Sequence, residues 1–167
     1  MKIKLLQGDI TTFEADVIVT AANSFLRGGG GVDGAIHRAA GPELIEELQR
    51  FNGCETGDAV LTNAYNLNSK YVIHAVGPIY KDGKSGEDKL LSSAYKKSIV
   101  LAKSVDAKSI LFPAISTGVY GYPLRPALSI AIDSLQKACK KNETEMEVTM
   151  VSFDKKTYQV ISELLET

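Results

Sequence analysis

The chain has 167 residues, with 19 Lys and Arg against 20 Asp and Glu and a formal net charge of −1. That balance argues against broad phosphate-driven nucleic-acid binding as the main activity, and no apolar run reaches the roughly 20 residues of a membrane helix, so a compact ligand is the expected partner. The length suits one domain, 1–167. Two cysteines, Cys54 and Cys139, have neither metal nor disulfide spacing, and the segment Met1-Lys2-Ile3-Lys4-Leu5-Leu6 does not read as a signal peptide, which together predict a reducing, cytoplasmic setting.

In chain order, Ile3 to Leu6 predicts a short strand closed by Gly8-Asp9, and the apolar run within Asp16 to Thr20 predicts a central strand. The stretch from Ala21 to Gly41 follows, with four consecutive glycines, Gly28 to Gly31, leading into a helical segment from about Asp33 that is broken or re-aimed at Gly41-Pro42. Asp58 to Ala64 and Tyr71 to Val76 read as the strands of a hairpin, and Leu90 to Ser104 as a helix. In the charged loop before that helix, Gly83-Lys84-Ser85 resembles a P-loop ending, but the required glycine five residues earlier is Pro78. Ser109 to Ala114 predicts a buried strand that runs into a second loop, Ile115 to Pro123. A helix from Pro123 to Lys141, a strand from Glu147 to Phe153 and a helix from Tyr158 to Leu165 complete an α/β pattern.

Two loops that each leave a strand and enter a helix suit a ligand at the carboxyl ends of the strands. Glycines allow backbone N–H groups to approach an anion, and the helix that follows adds its positive dipole end. Gly29, Gly31 and Gly34 spell G-x-G-x-x-G, which leaves a nicotinamide dehydrogenase open, although about eight residues separate the strand from the first glycine. Asp33 reads either as a helix N-cap or as a functional carboxylate whose pKa the helix terminus lowers, making it a water-orienting group and a weak base. His37, four residues on, shares its face, as a surface pair or as its orienter. Asn23 either caps a turn or addresses a sugar diol. Asp9 is a turn residue by default, Phe153 a core residue or a stacking platform, and His74 a structural strand residue.

These residues in this order, from Gly8-Asp9-Ile10-Thr11 through Ala21-Ala22-Asn23 and Gly28-Gly29-Gly30-Gly31-Val32-Asp33-Gly34-Ala35-Ile36-His37 to Ser116-Thr117-Gly118-Val119-Tyr120-Gly121, resemble a macrodomain of the MacroD type. The resemblance covers nearly the whole chain. It implies a three-layer α/β/α sandwich with a mixed central sheet and an ADP-ribose cleft across its top. By that likeness Asp9 binds the adenine amino group and Phe153 packs on the ring. Gly28, Gly29, Gly30 and Gly31 wrap the diphosphate together with Ser116, Thr117, Gly118, Val119 and Tyr120, and Ile10 and Val32 belong to the same binding set. Asn23 contacts the distal ribose, Asp33 is tied to catalysis, and His37 supports it.

What the resemblance implies is a mono-ADP-ribosyl hydrolase acting on modified acidic side chains, which also deacetylates O-acetyl-ADP-ribose. Mono-ADP-ribosylated proteins are the implied substrates, with no cofactor or metal; because Asp33 is read as a weak base, a substrate phosphate oxygen is expected to help activate the water. Zinc-carrying variants of the family use extra Cys and His ligands that this chain does not supply as an evident set. The alternative from another class is a non-catalytic ADP-ribose reader. One position departs from the pattern: Thr20 stands where the family has asparagine, which bears on hydrogen bonding behind the distal ribose and is expected to leave Asn23 and Asp33 untouched.

Overall fold

Val17, Ile18 and Val19 have almost no exposed surface, the mark of a strand covered on both faces. In the computed structural model, which describes residues 2–166, they lie at the heart of a six-stranded sheet. The strands are β1 (Lys4–Gln7), β2 (Val17–Ala21), β3 (Ala59–Asn63), β4 (Tyr71–Ala75), β5 (Ser109–Phe112) and β6 (Glu147–Ser152), in the spatial order β1-β6-β5-β2-β4-β3. All neighbours run parallel except β3, which pairs antiparallel with β4 as the hairpin reading requires.

Helices α1 (Gly31–Ala40) and α2 (Glu43–Leu48) cover one face, and α3 (Glu87–Ser104), α4 (Leu124–Lys141) and α5 (Lys155–Leu165) the other. Strand side chains alternate between the layers. Val17, Val19, Ile73 and Ala75 join Leu91, Tyr95, Leu128 and Ile161, while Ile18, Ala22, Val72 and Val76 join Ile36, Ala40, Leu44 and Leu48. The same alternation sends Thr20 and His74 toward α1. Paired register sets these two opposite each other on β2 and β4, and both are fully buried. Among the described residues no helix is long and apolar enough to cross a membrane.

Two helices start a turn earlier than their apolar spacing predicts, each because of an acidic side chain. Asp154 caps α5 by accepting from the Thr157 N–H at 2.7 Å. In the first turn of α3, Glu87 accepts from the N–H groups of Lys81, Asp82, Gly83 and Ser85 at 2.7–3.0 Å. The loop that spells a P-loop ending thus wraps its own carboxylate, which these bonds hold far below the ordinary range, at about 2.

Parallel strands bring their carboxyl ends to one side of the sheet. Asp9 after β1, Phe153 after β6, the 113–122 loop after β5, the 22–30 loop after β2 and Gly77-Pro78 after β4 therefore line one edge in that order. Residues far apart in sequence are thereby gathered along one edge of the sheet.

Candidate functional site

The first loop is built by Asn23. Its Nδ2 donates to the Gly28 carbonyl at 2.8 Å, and its Oδ1 accepts from the N–H groups of Phe25 and Arg27 at 3.1 and 3.3 Å. The turn-capping role is therefore real, and it leaves one Nδ2 hydrogen for a ligand. Gly28 (φ 79°) and Gly31 (φ 57°) occupy the left-handed region that favours glycine. Gly34 is required for packing, since a Cβ there would sit 2.6 Å from the Gly29 carbonyl oxygen. No described group accepts a hydrogen bond from the N–H groups of residues 28–33, so the loop and the first turn of α1 present six open donors.

Asp33 is not the N-cap. Gly30 holds that position, and Asp33 is the third residue of α1, 4% exposed. Its Oδ1 accepts from Thr20 Oγ1 at 2.9 Å and lies 3.6 Å from His37 Nε2. Its Oδ2 lies on the Gly29 side, where a Cβ on Gly29 would be 3.7 Å from both Oδ2 and Asn23 Nδ2. Two sequence expectations are corrected here. Burial outweighs the neighbouring His37 and the Thr20 hydroxyl, so the Asp33 pKa is raised, not lowered. Thr20 acts on Asp33 directly, through a buried hydrogen bond. His37 is 16% exposed beside a nearly buried partner, so the pair is not a solvated surface pair.

His74 belongs to this cluster too. It is fully buried, its Nε2 is 2.9 Å from Thr62 Oγ1, and its ring centroid is 6.2 Å from that of His37. Burial, reinforced by His37, pushes its pKa down to about 3, so the imidazole is neutral. Ligand atoms of Asp33, His37 and His74 all lie within 4.8 Å of one another.

The second loop is held from beneath. Tyr95 Oη accepts from the Ile115 N–H at 2.9 Å, the Ser116 hydroxyl donates to the Pro78 carbonyl at 2.8 Å, and the Tyr80 N–H donates to the Tyr120 carbonyl at 2.9 Å. Gly77 makes room for this, because a Cβ there would meet Ser116 Oγ at 2.3 Å and Ile115 Cγ2 at 2.4 Å. Ser116 takes a positive φ of 68°, and its side chain is spent inside the protein. The N–H groups of residues 116–120 have no described acceptor and form a second open run. Thr117 donates its hydroxyl to the Ala114 carbonyl, and the side chain of Val119 is fully exposed.

At the far end, Asp9 Oδ1 accepts from the Thr11 N–H and hydroxyl at 2.9 and 2.7 Å, which holds its pKa low and leaves Oδ2 free. Ile10 is buried below it. Phe153 is 79% exposed, so it is not a core residue. Cys54 stands apart, its thiol pushed up to about 11 by burial and the Asp58 charge.

The Macro domain family model matches residues 19–131, more than half of the chain. The chain belongs to the macrodomain family. A curated relative from Escherichia fergusonii, named O-acetyl-ADP-ribose deacetylase, is 49% identical over 98% of this chain and 95% of its own. A Macro domain-containing protein of Methanosarcina mazei is also 49% identical, over 98% of this chain and 88% of its own. Among solved structures, the Oceanobacillus iheyensis macrodomain with ADP superposes with a TM-score of 0.89 at 39% identity, covering 97% of this chain and 88% of that one. The Trypanosoma brucei macrodomain in complex with ADP-ribose gives 0.90 at 40% identity, over 96% and 68%. The MacroD-type resemblance and the mixed α/β/α fold hold, and the glycine run of this macrodomain is not a Rossmann turn. What its sequence left unmarked is the support: Gly77, Tyr95, the Thr20 bond and His74. Of these only Thr20 stands at a motif position, and its partner there was not read.

Proposed function

We propose that this macrodomain is an ADP-ribosyl ester hydrolase, which frees ADP-ribose from mono-ADP-ribosylated acidic side chains and deacetylates O-acetyl-ADP-ribose. The observation that carries the reading is the pairing of Asn23 Nδ2 and Asp33 Oδ2 on either side of Gly29, next to a run of open backbone donors. The similarity to relatives named O-acetyl-ADP-ribose deacetylase, and to macrodomains solved with ADP or ADP-ribose, supports it.

In this reading adenine lies between Asp9 and Phe153, with Ile10 beneath it. The diphosphate spans the N–H groups of Gly28, Gly29, Gly30, Gly31 and Val32 and those of Ser116, Thr117, Gly118, Val119 and Tyr120. The distal ribose meets the remaining Asn23 hydrogen. Asp33 keeps Oδ1 tied to Thr20 and turns Oδ2 to a water near the ester. The water oxygen bonds to the acyl carbon of the ester as its proton passes to Oδ2; the acyl C–O bond then breaks, the departing ribose oxygen takes that proton back from Oδ2, and ADP-ribose leaves with the freed carboxylic acid. A carboxylate with a pKa raised by burial accepts that proton more readily than an exposed one, so Asp33 serves as the base without requiring a substrate phosphate. His37, 3.6 Å away, stabilises the charge on Oδ1. The two free cysteines suit a cytoplasmic site of action for this single domain.

Calorimetric titration with ADP-ribose, paired with turnover of O-acetyl-ADP-ribose followed by NMR, tests the reading. Binding with release of acetate is expected. Binding without turnover would make the protein a reader, and no binding would dismiss the cleft assignment.

A further inference from the structure

His74 carries the one buried side-chain nitrogen at this cluster that has no partner. Its Nδ1 makes no hydrogen bond, although the ring is fully buried. Thr62 Oγ1 lies 3.1 Å from the Asn63 carbonyl and 2.9 Å from His74 Nε2, so Nε2 is the engaged nitrogen and Nδ1 the one left without a partner. A buried unpaired polar atom is costly, and natural proteins keep few of them.

We propose that Asp33, His37 and His74 form a two-histidine, one-carboxylate site for a divalent transition-metal cation of the zinc and cobalt class. Imidazole and carboxylate together suit such ions, and magnesium or calcium would favour an all-oxygen set. Asp33 and His37 stand four residues apart on α1, so one helix face supplies two donors with their ligand atoms 3.6 Å apart. On a tetrahedral ion with bonds of about 2.1 Å, every pair of ligand atoms lies roughly 3.4 Å apart. The first pair already has nearly that spacing. The widest separation in the trio is at most 4.8 Å, so the donors close by at most about 1.4 Å on binding. Thr62 acts as the outer partner that fixes the His74 tautomer, the arrangement that metal-ligating histidines commonly have. Arg27 and Arg38 line the surface pocket beside His37, so their charge slows cation access and keeps affinity below that of a closed structural zinc site.

A cation held there neutralises the carboxylate that the hydrolysis uses, so the site switches turnover off. That consequence rests on the hydrolase reading, but the site itself does not. The test is titration of chelator-treated protein with ZnCl2 by calorimetry and with CoCl2 by visible absorption. One equivalent is expected to bind, with a ligand-field band for cobalt, and affinity should fall at least tenfold in both H37A and H74Q. The His37 variant changes a partly exposed residue and keeps the test open should H74Q fail to fold. Binding that survives H37A, or no binding by the native protein at millimolar metal, overturns the site. So would a crystal grown with zinc in which only a water, hydrogen-bonded to all three side chains, lies between them. Metal binding in a protein that turns over no ester would leave the site standing and remove the switch.

Discussion

Thr20→Val removes one oxygen from the wall behind Asp33 and keeps the branched shape of a fully buried side chain. The lost contact is the 2.9 Å hydrogen bond to Asp33 Oδ1. Hydrogen bonds to charged groups are worth about 1.5–3 kcal/mol, and that preference for the ionised form is lost with the hydroxyl. The sign of the pKa shift follows from the bond: Thr20 favours the ionised carboxylate, so losing it raises a pKa that burial has already raised. The acid limb of kcat/KM for O-acetyl-ADP-ribose should move to higher pH, while the plateau above it stays within a few-fold. ADP-ribose affinity, measured on the plateau, should not change. Stability carries the same signature. A carboxylate with a folded pKa above its unfolded value lowers stability as pH rises through that window, and the variant should lose more stability there than the native protein. An acid limb that stays in place while turnover falls evenly at every pH would refute the reasoning, because Asp33 would then not be the titrating group.

Gly30→Glu should fold with an unchanged thermal midpoint, since φ is −94° and a Cβ there meets no atom within 4 Å, yet it should abolish ADP-ribose binding in calorimetry by placing a negative charge among the open donors. Phe153→Ala should leave stability within about 0.5 kcal/mol, because the ring is 79% exposed, and should weaken ADP-ribose binding by roughly 1–3 kcal/mol, a loss of about 5- to 150-fold. Glu87→Gln should lower the thermal midpoint at neutral pH. With the carboxylate at about 2 in the fold against a reference of 4.5, the native protein loses this support as pH falls from about 4.5 toward 2, and midpoints measured across that range should converge for the two proteins.

The strands could be read from composition, because β2, β4 and β5 are apolar runs bounded by turn residues, and a sheet covered on both faces demands such runs. The start of α1 could not. Gly31 and Gly34 have poor helix propensity, so periodicity begins only where the apolar face does, one turn after the true N-terminus at Gly31. That offset hid the position of Asp33: as an N-cap it would be a solvated anion with a lowered pKa, whereas as the third helical residue it points under the loop and is desolvated. Asn23 could be singled out because motif order marks it, whereas the exposure of Phe153 at the end of β6 could not be read from its apolar strand. His74 could not be singled out, because its placement depends on the register that sets Thr20 opposite it across 54 residues of chain, and on Thr62 from a third strand. Gly77 is equally silent, its need visible only when Ser116 folds over it.

The most direct measurement is release of free ADP-ribose, followed by mass spectrometry, from a protein mono-ADP-ribosylated on glutamate, with Asp33→Ala run alongside and both proteins titrated with ADP-ribose. The account predicts release by the native protein, loss of most turnover in the variant, and ADP-ribose affinities within a few-fold of each other. Equal release by both, or loss of binding together with turnover, would contradict the role given to Asp33.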